Sequence, residues 1–114
     1  MNAAQELINA IQSCKPGLLR LVIARLQRQA GIDMSRIEPA ARHRVKHNPV
    51  NAQLAQVMNL TPMHVAAKAY SAHEQDPDLA SAFSEMVEDL LAAGANPWIE
   101  AARPHGTVAE VCEG

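Results

Sequence analysis

Aromatic side chains are almost missing: the 114 residues hold one Trp, one Tyr and one Phe. A core without aromatics argues against a β-sandwich, which favours aromatic and β-branched residues, and suits close-packed helices built on Ala, Leu, Val, Ile and Met. No stretch of 18 apolar residues occurs, which excludes a membrane-spanning helix. Cysteine is scarce, and Cys14 and Cys112 match no zinc spacing. A Gly-rich phosphate loop, a Ser-centred elbow and a paired-carboxylate motif are all lacking, so no catalytic site and no cofactor are expected. The opening Met1-Asn2-Ala3-Ala4-Gln5-Glu6 lacks the basic-then-apolar layout of a signal peptide, so a reducing cytoplasm is the expected compartment. Secretion without such a peptide is the alternative.

What is present is 48% hydrophobic content in a length that suits one small domain. Charge is divided unevenly. Residues 1–50 carry eight Lys and Arg against three acids, and residues 51–114 carry two against nine. The halves either compensate one another within one fold or present two partner faces of opposite sign.

Hydrophobic spacing predicts four helices. Residues 3–13 place Leu7, Ala10 and Ile11 on one face, and Cys14-Lys15-Pro16-Gly17 ends them in a turn. Residues 18–30 form a second helix with the stripe Leu18, Leu19, Val22, Ile23, Leu26 and Ala30, leaving Arg20, Gln27 and Arg28 elsewhere. Gly31 closes it in the left-handed region. Residues 32–60 have no clean period. Ala40 to His47 suits one or two helical turns, and Val50 to Met58 suits a short helix or a loop. Thr61-Pro62 then starts a third helix as cap and first residue, running to about Tyr70. Asp76-Pro77 repeats the signal for a fourth, with Leu79, Phe83, Met86, Val87, Leu90 and Leu91 on one side and Gly94 as terminator. A last apolar stretch, Val108 to Val111, suits one or two further turns.

The helix–turn–helix–Gly pattern therefore occurs twice. Thr61-Pro62-Met63-His64-Val65-Ala66-Ala67, followed by Leu90-Leu91-Ala92-Ala93-Gly94-Ala95-Asn96-Pro97, resembles the ankyrin repeat. That family's signature is Thr-Pro-Leu-His-x-Ala-Ala and then Leu-Leu-x-x-Gly-Ala-Asp/Asn. Asn59 stands where the family has a turn Gly, and the chain between Ala67 and Met86 exceeds a standard repeat of about 33 residues. The resemblance implies an all-α, short ankyrin-like solenoid with hairpin-like fingers. Residues 1–33 are its N-terminal repeat, 34–58 an irregular insertion, 59–97 the best-matching repeat and 98–114 a partial C-terminal repeat.

Partners of that family bind across finger tips and the concave face of the inner helices. Carried over residue by residue, this picks Val57, Met58, Leu60, Lys68, Ala69, Trp98, Arg103 and His105. The resemblance implies a non-catalytic protein–protein interaction module, an inhibitor, immunity or effector protein like the small bacterial ankyrin proteins. The alternative is a binder of nucleic acid or an acidic partner through Arg36, Arg42, Arg44 and Lys46. The lack of interleaved aromatics and the acidic sequence pI of 6.2 speak against nucleic acid. His43 and His47 have the spacing of two metal ligands on a helix, but no third ligand follows and no metal is expected. His64 belongs to the Thr-Pro-x-His motif, and the resemblance implies a structural hydrogen bond within the turn region.

Overall fold

The computed structural model describes residues 2–101 and 106–108. Cys112 and residues 109–111, most of the last expected stretch, lie outside them. Four helices follow in chain order: α1 (Ala3–Gln12), α2 (Pro16–Gln29), α3 (Pro62–Ala72) and α4 (Pro77–Ala92). The segment between α2 and α3 holds four short 3-10 turns, and among the described residues pairing between extended residues is limited to isolated bridges. The chain is thus mostly helical among its described residues. None of these helices is long and apolar enough to cross a membrane.

Local chemistry marks several of the helix ends. The Asn2 side chain accepts the Gln5 N–H at 2.8 Å and caps α1. Pro16 sits in the first turn of α2, so the helix starts two residues earlier than Leu18. Proline there sacrifices no hydrogen bond, because first-turn N–H groups have no partner inside the helix. The Asp76 side chain accepts from Asp78 and Leu79 at the start of α4. The last turns of α2 and α4 share one geometry. Ile32 N–H reaches the Gln27 carbonyl at 2.9 Å and Gly31 N–H reaches Arg28 at 3.1 Å. At α4, Ala95 N–H reaches Leu90 at 2.9 Å and Gly94 N–H reaches Leu91 at 3.0 Å. This crossed pair needs a left-handed residue, supplied by Gly31 at φ 74° and Gly94 at φ 93°.

Short connections make α1–α2 and α3–α4 antiparallel hairpins. The hairpins lie side by side, α1 against α3 and α2 against α4. Leu7, Ile11, Leu19, Ile23, Met63, Ala66, Phe83, Met86 and Leu90 fill one continuous core between them. Ala66 and Ala10 keep the helices close, which explains how few aromatics suffice. Arg20 of α2 reaches Asp89 at 2.9 Å and Glu85 at 3.4 Å on α4, and Arg25 reaches Glu6 of α1 at 3.0 Å. Some of the opposite charge of the two halves is thus spent between neighbouring helices. The hydrogen bond to Asp89, followed by the charges of both carboxylates, moves the Arg20 pKa further upward.

The buried faces differ from the expected stripes. Leu18 and Ala30 of α2 are exposed, as is Leu91 of α4. Gln27, expected on the outer side, is buried. The reason is that α2 touches both α1 and α4, which turns its buried face toward Gln27. The amide is admitted because its nitrogen donates to the Ala93 carbonyl at 2.8 Å and to Asn48 Oδ1 at 3.1 Å.

The aperiodic segment is built around that end of the core. Its 3-10 turns span Met34–Arg36, Pro39–Arg44, Pro49–Asn51 and Ala55–Val57. Asp33 and Asn48 start two of them with side-chain caps. The Ser35 hydroxyl and N–H, with a smaller contribution from Arg36, hold the Asp33 carboxyl below its usual range. Asn48 Nδ2 donates to the Ala93 carbonyl at 2.8 Å, Asn51 Nδ2 to Gly94 at 3.0 Å and Arg42 Nη1 to Ala92 at 3.2 Å. The last carbonyls of α4, which have no partner within the helix, are closed by residues 42–51. The expected boundary between Met58 and Asn59 falls inside a small hairpin, residues 54–60.

Candidate functional site

The 54–60 hairpin is the finger from which the candidate surface starts. Leu54 N–H donates to the Leu60 carbonyl at 3.0 Å, and the Leu54 carbonyl accepts from Val57 and Asn59, each at 3.0 Å. The chain reverses through two successive left-handed residues, Met58 at φ 51° and Asn59 at φ 58°. Leu54 packs on Ala4 and Ile8 of α1. Gln53 Nε2 donates to the carbonyls of Asn59 and Glu100, each at 2.9 Å, which braces the finger from behind.

Between this finger and the first helix of each hairpin lies an open groove of about 490 Å³. Gln5, Ile8, Ile11 and Gln12 of α1 form one wall, with Cys14 beyond the helix end. Val65, Lys68, Ala69 and Ala72 of α3 form the other. Leu54, Val57 and Leu60 close the finger side, and His73 and Phe83 the far side. The His73 and Phe83 rings stack with centroids 5.6 Å apart. The size falls within the range of about 300–1,000 Å³ usual for ligand clefts.

Of the residues expected to meet a partner, Val57, Leu60, Lys68 and Ala69 come together on this groove. Leu60 is only 6% exposed and serves as floor, rooted under the tip. Met58 is 50% exposed at the tip, outside the groove lining. Trp98 is 72% exposed but is not among the groove residues. Arg103 and His105 lie outside the described residues. Sequence reasoning missed the α1 wall. Ile11 is assigned to the core face, where it is buried, and Ile8, also buried, is not singled out. Cys14 and Phe83 joined the groove only through folding.

A methionine at positive φ is unusual, because its Cβ crowds the following carbonyl at about 1–2 kcal/mol. Met58→Gly removes that crowding and is expected to raise stability by about 1 kcal/mol in urea denaturation. A lowered midpoint would show instead that the Met58 side chain holds the finger in place.

The other candidates fare differently. His43 lies in a 3-10 turn and His47 beyond it at φ 61°, so their spacing does not place them on one α-helical face. No group of three or more His, Cys, Asp or Glu among the described residues is placed to hold a metal ion. In the basic segment, Arg36 pairs with Asp33 at 3.4 Å and Arg42 is turned onto the carbonyls of Ile37 and Ala92. Arg44 and Lys46 remain exposed. His64 is fully buried and joins the Thr61 cap to the Gly106 carbonyl, its Nε2 lying 2.8 Å from that oxygen. No family model matches the chain, and neither does any curated protein or any solved structure.

Proposed function

We propose that this chain is a non-catalytic protein-interaction module of the ankyrin-repeat type, which takes its partner on the groove between α1, α3 and the finger. The single observation that carries this is the finger. It holds two apolar residues, Val57 and Met58, half-exposed beside an apolar groove, one of them in a backbone conformation that disfavours it. Strain kept at an exposed tip points to use of that tip. Supporting the repeat assignment are the two stacked helix hairpins, the Thr61-Pro62 start, the matching glycine closures of α2 and α4, and the bond from His64 to the next turn. Whether the module serves as inhibitor, immunity protein or effector follows from its partner's identity.

The alternative through residues 36–47 loses support, since two of its four cations are engaged within the chain. The test places a photo-crosslinking amino acid at position 58, 88 or 44 in turn, in extract of the native cells. Protein adducts are expected at 58 and not at 88 or 44. Adducts confined to 88 would move the interface to the acidic face of α4. Nucleic acid captured at 44 would return the basic segment to first place.

A further inference from the structure

The groove's charge is as informative as its shape. The chain has twelve acidic residues, and none of those among the described residues lines the groove. Nine of the twelve belong to residues 51–114, the half that supplies α3 and the whole finger. Among the described residues the Lys and Arg of the lining are represented by Lys68 alone, standing among Val65, Ala69 and Ala72 on α3.

From this we infer that the groove's occupant is an amphipathic helix of a partner protein carrying a carboxylate that meets Lys68. The inference rests on the groove being the interaction surface. Burying an ammonium without a partner is strongly unfavourable, so whatever covers Lys68 must bring an anion or leave it in water. The apolar part of the lining open to an occupant is Val57, 43% exposed, with Val65, Ala69 and Ala72, over a buried floor of Ile8, Ile11, Leu54 and Phe83, and it asks for apolar groups. A helix with apolar anchors one turn apart and an acid at its edge answers both demands. A macromolecule is favoured over a small amphiphile because the apolar surface does not stop at the groove. It continues onto Met58, which a molecule enclosed by the lining does not touch.

Two synthetic amphipathic helices test this, identical in their Leu face and carrying either Glu or Lys on the other. Each is titrated into the isotope-labelled chain and followed by amide chemical shifts. The Glu peptide is expected to move Ile8, Val65, Lys68 and Ala69 and to bind more tightly than the Lys peptide. Lys68→Glu, at an exposed position where folding is checked by circular dichroism, is expected to weaken the Glu peptide at least about tenfold and to strengthen the Lys peptide. Equal binding of both peptides in this groove, or indifference to Lys68→Glu, would overturn the acidic occupant while leaving the groove as interface. Shifts confined to Glu85–Asp89 or to residues 44–46 would overturn both. Decanoate moving the groove amides when neither peptide does would make this a site for small carboxylates and overturn the helix. No shift with any probe up to about 1 mM would also overturn the occupant, and crosslinking at position 58 then decides the interface separately.

Discussion

Gly94→Ala is expected to destabilise the chain by at least about 3 kcal/mol, whereas Gly31→Ala should cost only about 1–2 kcal/mol. Both glycines close a helix in the same left-handed conformation, so the backbone penalty is shared. Their surroundings differ. A Cβ at position 31 meets nothing within 4 Å. A Cβ at position 94 falls 2.6 Å from the Arg42 carbonyl oxygen, 2.8 Å from Asn48 Nδ2 and 3.0 Å from Met34 Cε. The methionine end can swing away. The Arg42 backbone cannot, because the Arg42 side chain is tied to Ile37 and Ala92. Asn48 is held equally firmly between Gln27 and Ala93. The added methyl must therefore push residues 42–48 off the end of α4 and break the bonds that close its last carbonyls. Urea denaturation of both variants measures the difference. Equal losses would mean that residues 39–51 move away from α4 at little cost.

The same pair of glycines shows where the sequence is readable. Gly31, Gly94, Thr61-Pro62 and Asp76-Pro77 are local signals, each settled by a few neighbouring residues, and they place the helix ends to within a residue or two. Residues 34–51 carry a cap signal at Asn48-Pro49 but no apolar period, because 3-10 turns are short and their stability comes from afar. Gln27 illustrates the difficulty. An amide within an amphipathic helix reads as solvent-facing, and only its bonds to Asn48 and to Ala93, 66 residues away, reverse that. The same holds for Arg42, which reads as one cation of a basic run until α4 ends beside it. In the candidate site, Val57, Leu60, Lys68 and Ala69 were picked in the sequence and stand together on the groove. The α1 wall was not, since Ile8 and Ile11 look like any buried pair until the finger's Leu54 arrives beside them.

His64→Ala is expected to cost about 3–5 kcal/mol, a large share of the roughly 5–15 kcal/mol typical of a domain. The imidazole is wholly buried and bonded at both nitrogens. A carbonyl oxygen only accepts, so the Gly106 oxygen at 2.8 Å requires the proton on Nε2. Nδ1 is then bare, and it accepts the Thr61 N–H at 3.2 Å with the Thr61 hydroxyl at 2.7 Å. Thr61 Oγ1 in turn accepts the His64 N–H, so cap and ring hold one another. Removing the ring leaves the buried Thr61 N–H without this acceptor and opens a void in its place. Thr61→Ala is the milder comparison at about 1 kcal/mol, because the bond to Gly106 survives it. The Gly106 oxygen also accepts the Ala101 N–H at 2.8 Å, so the second turn hangs on the same atom. Hydrogen exchange at Ala101 should therefore accelerate in His64→Ala well beyond the global loss, and far less in Thr61→Ala. Nitrogen-15 shifts of the wild-type ring check the tautomer directly. A proton found on Nδ1 would leave Nε2 unable to donate to the Gly106 carbonyl and Nδ1 unable to accept the Thr61 N–H, and would remove the reason for the effect at Ala101.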